Sequence, residues 1–156
     1  MTTLEATAHK LSPALTHWPG YLLTLIAEHS AERFERVIAP HGIRIKHAQV
    51  LVVIDAEGPM SQRALGRRLR IDKSPMVGVL DDLERLGLAE RRRSDSDRRV
   101  QAIHLTRKGR TVLASVMEIA DSENARTFGV LDDSERELLH DLLLRVAEAS
   151  ADGGSS

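Results

Sequence analysis

The amino-acid sequence predicts a mainly α fold with one small β-hairpin. Three observations lead there. Apolar residues recur at helical spacing in six segments, the stretch from Leu88 to Leu105 switches to the shorter period of strands around a polar turn, and Gly or Pro punctuates most of the joints. Hydrophobic residues make up 42% of the chain and charged residues 29%, a balance that supports a packed core and argues against wholesale disorder.

Residues 1–20 mix Thr, Ser, Ala and His with Pro13 and Pro19 and read as a flexible N-terminal arm. From Tyr21 to Ala39 the set Leu22, Leu23, Ile26, Phe34, Val37 and Ile38 marks a helix that Pro40 and Gly42 end. The stretch His47–Ala56 is short enough to read as a strand. Gly58 and Pro59 punctuate it and helical segments lie on both sides, so it is assigned as helix. Ser61 is a good N-cap for a short helix carrying Leu65 and Leu69, and Ile71-Asp72 forms a tight connection. The next helix begins near Ser74 with Pro75 in its first turn, where a missing N–H costs nothing. Met76, Val79, Leu80 and Leu83 line its buried face, and Gly87 stops it. Leu88–Arg93 and Val100–Leu105 are the strands, joined by the polar turn Ser94–Arg99. Thr106 caps a helix through Leu113 and Val116, and Asp132-Asp133-Ser134 caps a last one through Leu138, Leu142 and Val146. Residues 151–156 are expected to be a disordered tail.

Charge divides by region. Gln62–Arg110 holds 14 Lys/Arg against 7 Asp/Glu, a net of +7, whereas the remainder holds 8 basic and 16 acidic residues, a net of −8. A basic centre between acidic arms suits a domain that faces a polyanion, or else a solvated basic face. The absence of cysteine excludes disulfides, thiolate metal sites and thiol redox sensing. The seven histidines show no tight ligand spacing, so no metal and no cofactor is expected. No apolar run approaches the roughly 20 residues of a membrane span. The polar start, Met1–Lys10, carries no signal-peptide core, and a cytoplasmic location without a membrane partner is expected.

Two short helices joined by a tight turn, the second followed at once by a basic hairpin, make a winged helix-turn-helix. Such a second helix enters the major groove of double-stranded DNA, the N-terminus of the first lies near phosphates, and the hairpin reaches toward the minor groove. The candidate contacts are Ser61, Gln62 and Arg63 at the first helix's start, and Lys73, Ser74, Pro75, Val77 and Gly78 along the second. The hairpin adds five arginines, among them Arg93, Arg98 and Arg99. None of the outward residues of the second helix is a long bidentate reader of bases. Val77 is suited to a thymine methyl. Gly78 allows either close approach of backbone to DNA or tight packing against another helix.

The stretches Leu83–Arg91, Ser94–Arg99 and Leu105–Arg110 resemble the signature "L-E-x-x-G-L-V-x-R … D-R-R … L-T-x-x-G" of the MarR (multiple antibiotic resistance regulator) family. The resemblance spans roughly residues 21–148 and implies a two-fold dimer built from the first and last helices on a palindromic operator. It also implies that Asp97 braces Arg99, which enters the minor groove. A carboxylate bonded to a guanidinium holds a flexible side chain in one geometry. Where the family often has Thr and Arg in the recognition helix, this chain has Pro75 and Gly78, so no operator sequence is carried over. The lack of cysteine excludes the family's peroxide-sensing branch.

On this reading residues 21–46 form an N-terminal dimerisation region, 47–106 the DNA-binding domain and 107–150 the C-terminal dimerisation helices. The chain is expected to be a homodimeric, sequence-specific transcriptional regulator, a repressor released by ligand. An activator or a ligand-independent regulator of the same fold is the alternative. The resemblance further implies a small aromatic or phenolic anionic effector, with Phe34, His47, Val50 and Leu51 lining its pocket and Trp18 or Tyr21 covering it. Phe34, Val50 and Leu51 at helical spacing are more often plain core. No catalytic constellation of nucleophile, paired carboxylates or phosphate loop is present, so an enzyme is not expected. A protein-interaction module using the basic surface remains the third class.

Overall fold

In a computed structural model, which describes residues 11–93 and 101–152, the chain is mostly helical with a three-stranded antiparallel sheet. A single turn, α1 (Pro13–Thr16), precedes the long α2 (Pro19–Ile38). Both start on proline, which at the first helical position forfeits no hydrogen bond and presets φ. The expected arm therefore holds a helical turn and the start of α2, because the two prolines that read as loop signals are helix starters. A 3-10 turn (Ala39–His41) and Gly42, left-handed at φ 72°, lead into α3 (Ile45–Glu57).

The remaining elements are β1 (Met60–Ser61), α4 (Gln62–Leu69), α5 (Lys73–Arg85), β2 (Ala89–Arg93), β3 (Gln101–Leu105), α6 (Arg107–Phe128) and α7 (Asp133–Asp152). The hairpin partner β3 lies in the middle of the sheet, in the order β1-β3-β2. Its register aligns Met60, Ile103 and Arg91 in one row across the three strands. The strand β1 went unforeseen, since two residues carry no period. It ties the start of α4 to the root of the hairpin.

The core sits where α3, α4 and α5 meet this sheet. Leu51, Leu65, Met76, Leu80, Leu83 and Ile103 are almost wholly removed from solvent there. Burying a side chain of that size contributes about 1.5–3 kcal/mol, so the expected inner face of α5 is what holds it on α4.

The joint between α5 and α6 explains the L-E-x-x-G-L and L-T-x-x-G patterns physically. Gly87 is left-handed at φ 71° and ends α5 with the two bonds of a Schellman cap, Leu88 N–H to Leu83 O and Gly87 N–H to Glu84 O, both 2.9 Å. The Thr106 hydroxyl donates to Gly87 O at 2.6 Å and accepts from Gly109 N–H at 2.9 Å. Lys108 Nζ donates to Leu86 O at 2.8 Å. A Cβ on Gly109 would stand 2.0 Å from Leu88 O, so only glycine lets α6 start this close to β2. The recognition helix, hairpin and α6 are thus stitched at one point.

At the far end Asp132 caps α7. Its Oδ1 accepts from Glu135 N–H at 2.9 Å, and Glu135 Oε2 accepts from Asp132 N–H at 2.9 Å, a capping box. The bond from Glu135 holds the Asp132 carboxyl below its ordinary pKa. None of the residues 133–151 is buried within one chain, and Leu138, Leu142 and Val146 are exposed.

Candidate nucleic-acid interface

The pair α4–α5 has the geometry of a helix-turn-helix. Ser61 caps α4 by accepting from Ala64 N–H at 3.2 Å. Arg70 ends α4 in the left-handed region, φ 51°, and Ile71 N–H bonds Gly66 O at 3.0 Å. The turn passes so close that a Cβ on Gly66 would lie 2.9 Å from Ile71 O. Between the two helices opens a groove of about 720 Å³ lined by Gln62, Arg63, Arg67, Arg70 and Lys73. The sequence placed Gln62, Arg63 and Lys73 there. Arg70 was missed, because a non-glycine residue reversing the chain carries no turn signal.

Lys73, Ser74, Pro75 and Gly78 are exposed along one edge of α5, and Val77 is half-buried beside them. A Cβ on Gly78 would meet no heavy atom within 4 Å. Tight helix packing is therefore not what Gly78 serves. Pro75 and Gly78 border a second groove of about 370 Å³, flanked by Arg44 and Lys46 at the start of α3. Those two cations lie about thirty residues upstream in sequence, and the pattern of α3 alone gave no reason to set them beside α5.

Left to itself, α5 is a poor partner for a polyanion: it carries Asp81, Asp82 and Glu84 against Lys73 and Arg85. Every one of those acids is paired. Arg85 Nη2 holds Asp82 Oδ1 at 2.8 Å, and His47 Nε2 lies 3.4 Å from Asp82 Oδ2. Arg85, then His47, keep the Asp82 carboxyl below its ordinary pKa. Arg91 reaches from β2 to both Asp81, at 2.9 Å, and Glu84.

His47, expected to meet a carboxylate effector, is buried and engaged at both nitrogens. Nδ1 accepts from Arg44 N–H at 2.9 Å, which leaves the proton on Nε2, facing Asp82. Burial holds its pKa below the ordinary 6.5, against the pull of Asp82. The imidazole is a brace between α3 and α5, and an effector carboxylate there must displace Asp82. Val50 and Leu51 are fully buried in the core, 0% exposed. Phe34 is half-buried and lines a cleft of about 260 Å³ between α2 and α6 with Ile45 and Ala120. Tyr21 is half-buried. Trp18 is exposed and stacks, tilted, on His17 at 4.1 Å. The structure does not gather the six expected effector residues into one pocket.

Arg93 ends β2 exposed, and Arg92 is exposed beside it. Asp97, Arg98 and Arg99 lie outside the described residues. Among the described residues no cluster of His, Asp and Glu is arranged to hold a metal, and no single helix is long and apolar enough to cross a membrane.

Helix-turn-helix, hairpin and flanking β1 define a winged helix-turn-helix protein. Comparison with known proteins narrows the class. A model of the MarR family matches residues 41–100. The chain is 34% identical over 97 residues to the putative transcriptional regulatory protein for the hcr operon of Thauera aromatica, covering 62% of this chain and 58% of that protein's length. The solved structure of the transcriptional repressor CouR bound to a 23-mer DNA duplex superposes with TM-score 0.79 at 31% identity, covering 88% of this chain and 99% of that one. CouR from Rhodococcus jostii RHA1 bound to p-coumaroyl-CoA gives TM-score 0.78 at 28% identity, with coverage of 87% and 96%. The chain belongs to the MarR family, whose members are transcriptional regulators and not enzymes.

Proposed function

We propose that this protein is a homodimeric, sequence-specific DNA-binding repressor of the cytoplasm, released from a palindromic operator by a small aromatic or phenolic anion. The observation that carries the reading is the exposed edge of α5 between two grooves, one bearing Arg63, Arg67 and Arg70 and the other bearing Arg44 and Lys46 beside the acids Glu35 and Asp82. A helix about 10–12 Å across its side chains fits a major groove, and flanking cations suit its phosphate rims. Residues 47–106 act as the DNA-binding domain. Ser61, Gln62, Arg63 and Lys73 contact phosphates, Ser74, Pro75, Val77 and Gly78 face bases, and Arg93, Arg98 and Arg99, the last braced by Asp97, serve the wing. The CouR relative with DNA supports the operator reading, and the one with an aromatic thioester supports an aromatic effector.

Residues 21–46 and 107–150 supply the dimer. Leu138, Leu142 and Val146 stand on α7 with no cover from their own chain. Each is about half exposed, so covering it with a partner contributes roughly half of the 1.5–3 kcal/mol of a full burial, a favourable contribution in two copies set against the cost of association. The effector enters the cleft beside Phe34.

Footprinting on DNA flanking the protein's own gene, with and without phenolic acids, tests the reading. The expected result is two protected half-sites about one helical turn apart, lost on adding an acid. Protection of a single half-site, or none, contradicts it.

A further inference from the structure

We infer that Arg91, one of the five hairpin arginines, is a positioning residue that clamps the wing to the recognition helix and neutralises two of its acids. It is not a phosphate contact. The inference deepens the DNA-binding reading and rests on it. Arg91 lies in the row Met60–Ile103–Arg91 at the root of the hairpin, not near its tip. Its backbone N–H donates to Glu84 Oε1 at 2.9 Å. The guanidinium donates through Nη1 to Glu84 Oε2 and through Nη2 to Asp81 Oδ1, the latter at 2.9 Å. Only 23% of the side chain is exposed, against 61% for its neighbour Arg92.

One residue of β2 is therefore bound at three points to one turn of α5, because Asp81 and Glu84 stand three apart on the same face. A planar fork with donors on two nitrogens fixes direction as well as distance, which an ammonium does not. The bonds of Thr106 and Lys108 to Gly87 and Leu86 fix the hairpin's base on α5, and a hold at that one point leaves the strand's angle to the helix soft. Arg91 sets that angle, and with it where the remaining wing arginines fall relative to the major-groove edge. The second consequence is electrostatic. Asp81 is exposed on the recognition helix, where an uncompensated carboxylate repels phosphate, and Arg91 supplies the compensating charge from inside the protein.

The two possible roles predict opposite signs for one variant. Asp81→Ala with Glu84→Ala removes two negative charges from the DNA-facing lobe together with the oxygens that hold Arg91. If Arg91 were a phosphate contact, or if charge alone mattered, the double variant would bind DNA more tightly. If it is a clamp, binding weakens. The probe is a labelled 30-base-pair mixed-sequence duplex, read by anisotropy on the full chain, with melting temperature followed in parallel. The clamp predicts about a tenfold weaker Kd for the double variant and for Arg91→Lys, which keeps the charge and loses the fork. It further predicts that Arg91→Met added to the double variant costs no more than about twofold beyond it, since coupled partners are non-additive. A double variant that binds as tightly as wild type or tighter, an Arg91→Lys variant that keeps wild-type affinity, or losses that multiply would overturn the clamp while leaving DNA binding intact. Wild-type protein that ignores the duplex at low salt would instead overturn the DNA reading, and the clamp with it.

Discussion

Replacing Gly78 by alanine separates stability from recognition, because the two are expected to move in opposite directions. Gly78 sits inside α5 with ordinary helical geometry, and glycine in a helix interior costs about 1 kcal/mol relative to alanine. Ordinarily that gain is offset by whatever the new methyl strikes, but here a Cβ meets nothing within 4 Å. Gly78→Ala should therefore stabilise the protein by roughly 0.5–1 kcal/mol, which raises Tm by about 1–4 °C for a chain of this size. The same methyl projects between Pro75 and the Arg44 and Lys46 groove, on the edge proposed to face bases. Holding the backbone one methyl further from DNA should weaken binding about tenfold, near 1.4 kcal/mol. Circular-dichroism melting and duplex anisotropy on the same preparation measure both. A higher Tm with unchanged or tighter binding would refute close DNA approach at Gly78. A lower Tm would refute the open environment itself.

Gly109→Ala is the counterpart, with its Cβ 2.0 Å from Leu88 O. Overpacking of that kind costs about 3 kcal/mol, so melting should fall by roughly 6–12 °C; an unchanged Tm would show that the α5–α6 joint is not tight. His47 makes stability pH-dependent. Its folded pKa lies below the ordinary 6.5, so the unfolded chain binds the extra proton first, and the contribution is full above about pH 6.5 and is lost as pH falls through the folded pKa. Denaturant midpoints from pH 7.5 to pH 5 should decline in wild type and flatten in His47→Gln; parallel declines would place the titration elsewhere. Arg99→Ala should weaken binding to operator and mixed-sequence duplex alike, whereas Val77→Ala should shift base preference with less loss of affinity. A selective loss of operator binding in Arg99→Ala, read in a two-probe anisotropy competition, would contradict the wing's sequence-independent role.

Much of the fold was legible because its signals are local. The Ser61 and Thr106 caps, the Gly87 stop and the 3.6-residue spacing of Met76, Val79, Leu80 and Leu83 each act within a few residues of their place. What escaped was either too short to have a period, as with β1, or depends on partners distant along the chain. Strand alternation says nothing about which hairpin arginine faces α5, since Asp81 and Glu84 lie ten and seven residues before Arg91 on another element. His47 is similar. As a lone first-turn histidine it reads as free, and only the approach of Asp82 from α5 and the Arg44 N–H reveal both nitrogens as occupied. For Val50 and Leu51 the spacing signalled core, and both are fully buried.

The salt dependence of wild-type binding to a mixed-sequence duplex bears most directly on the claim that two cation-flanked lobes grip one DNA. Each phosphate neutralised releases counterions, so log affinity should fall linearly with log salt at about −0.9 per contact. A dimer engaging about six or more phosphates should lose at least roughly a thousandfold in affinity between 50 and 200 mM salt. Affinity that hardly changes over that range would mean that the arginines around α4, α5 and the hairpin serve some surface other than nucleic acid.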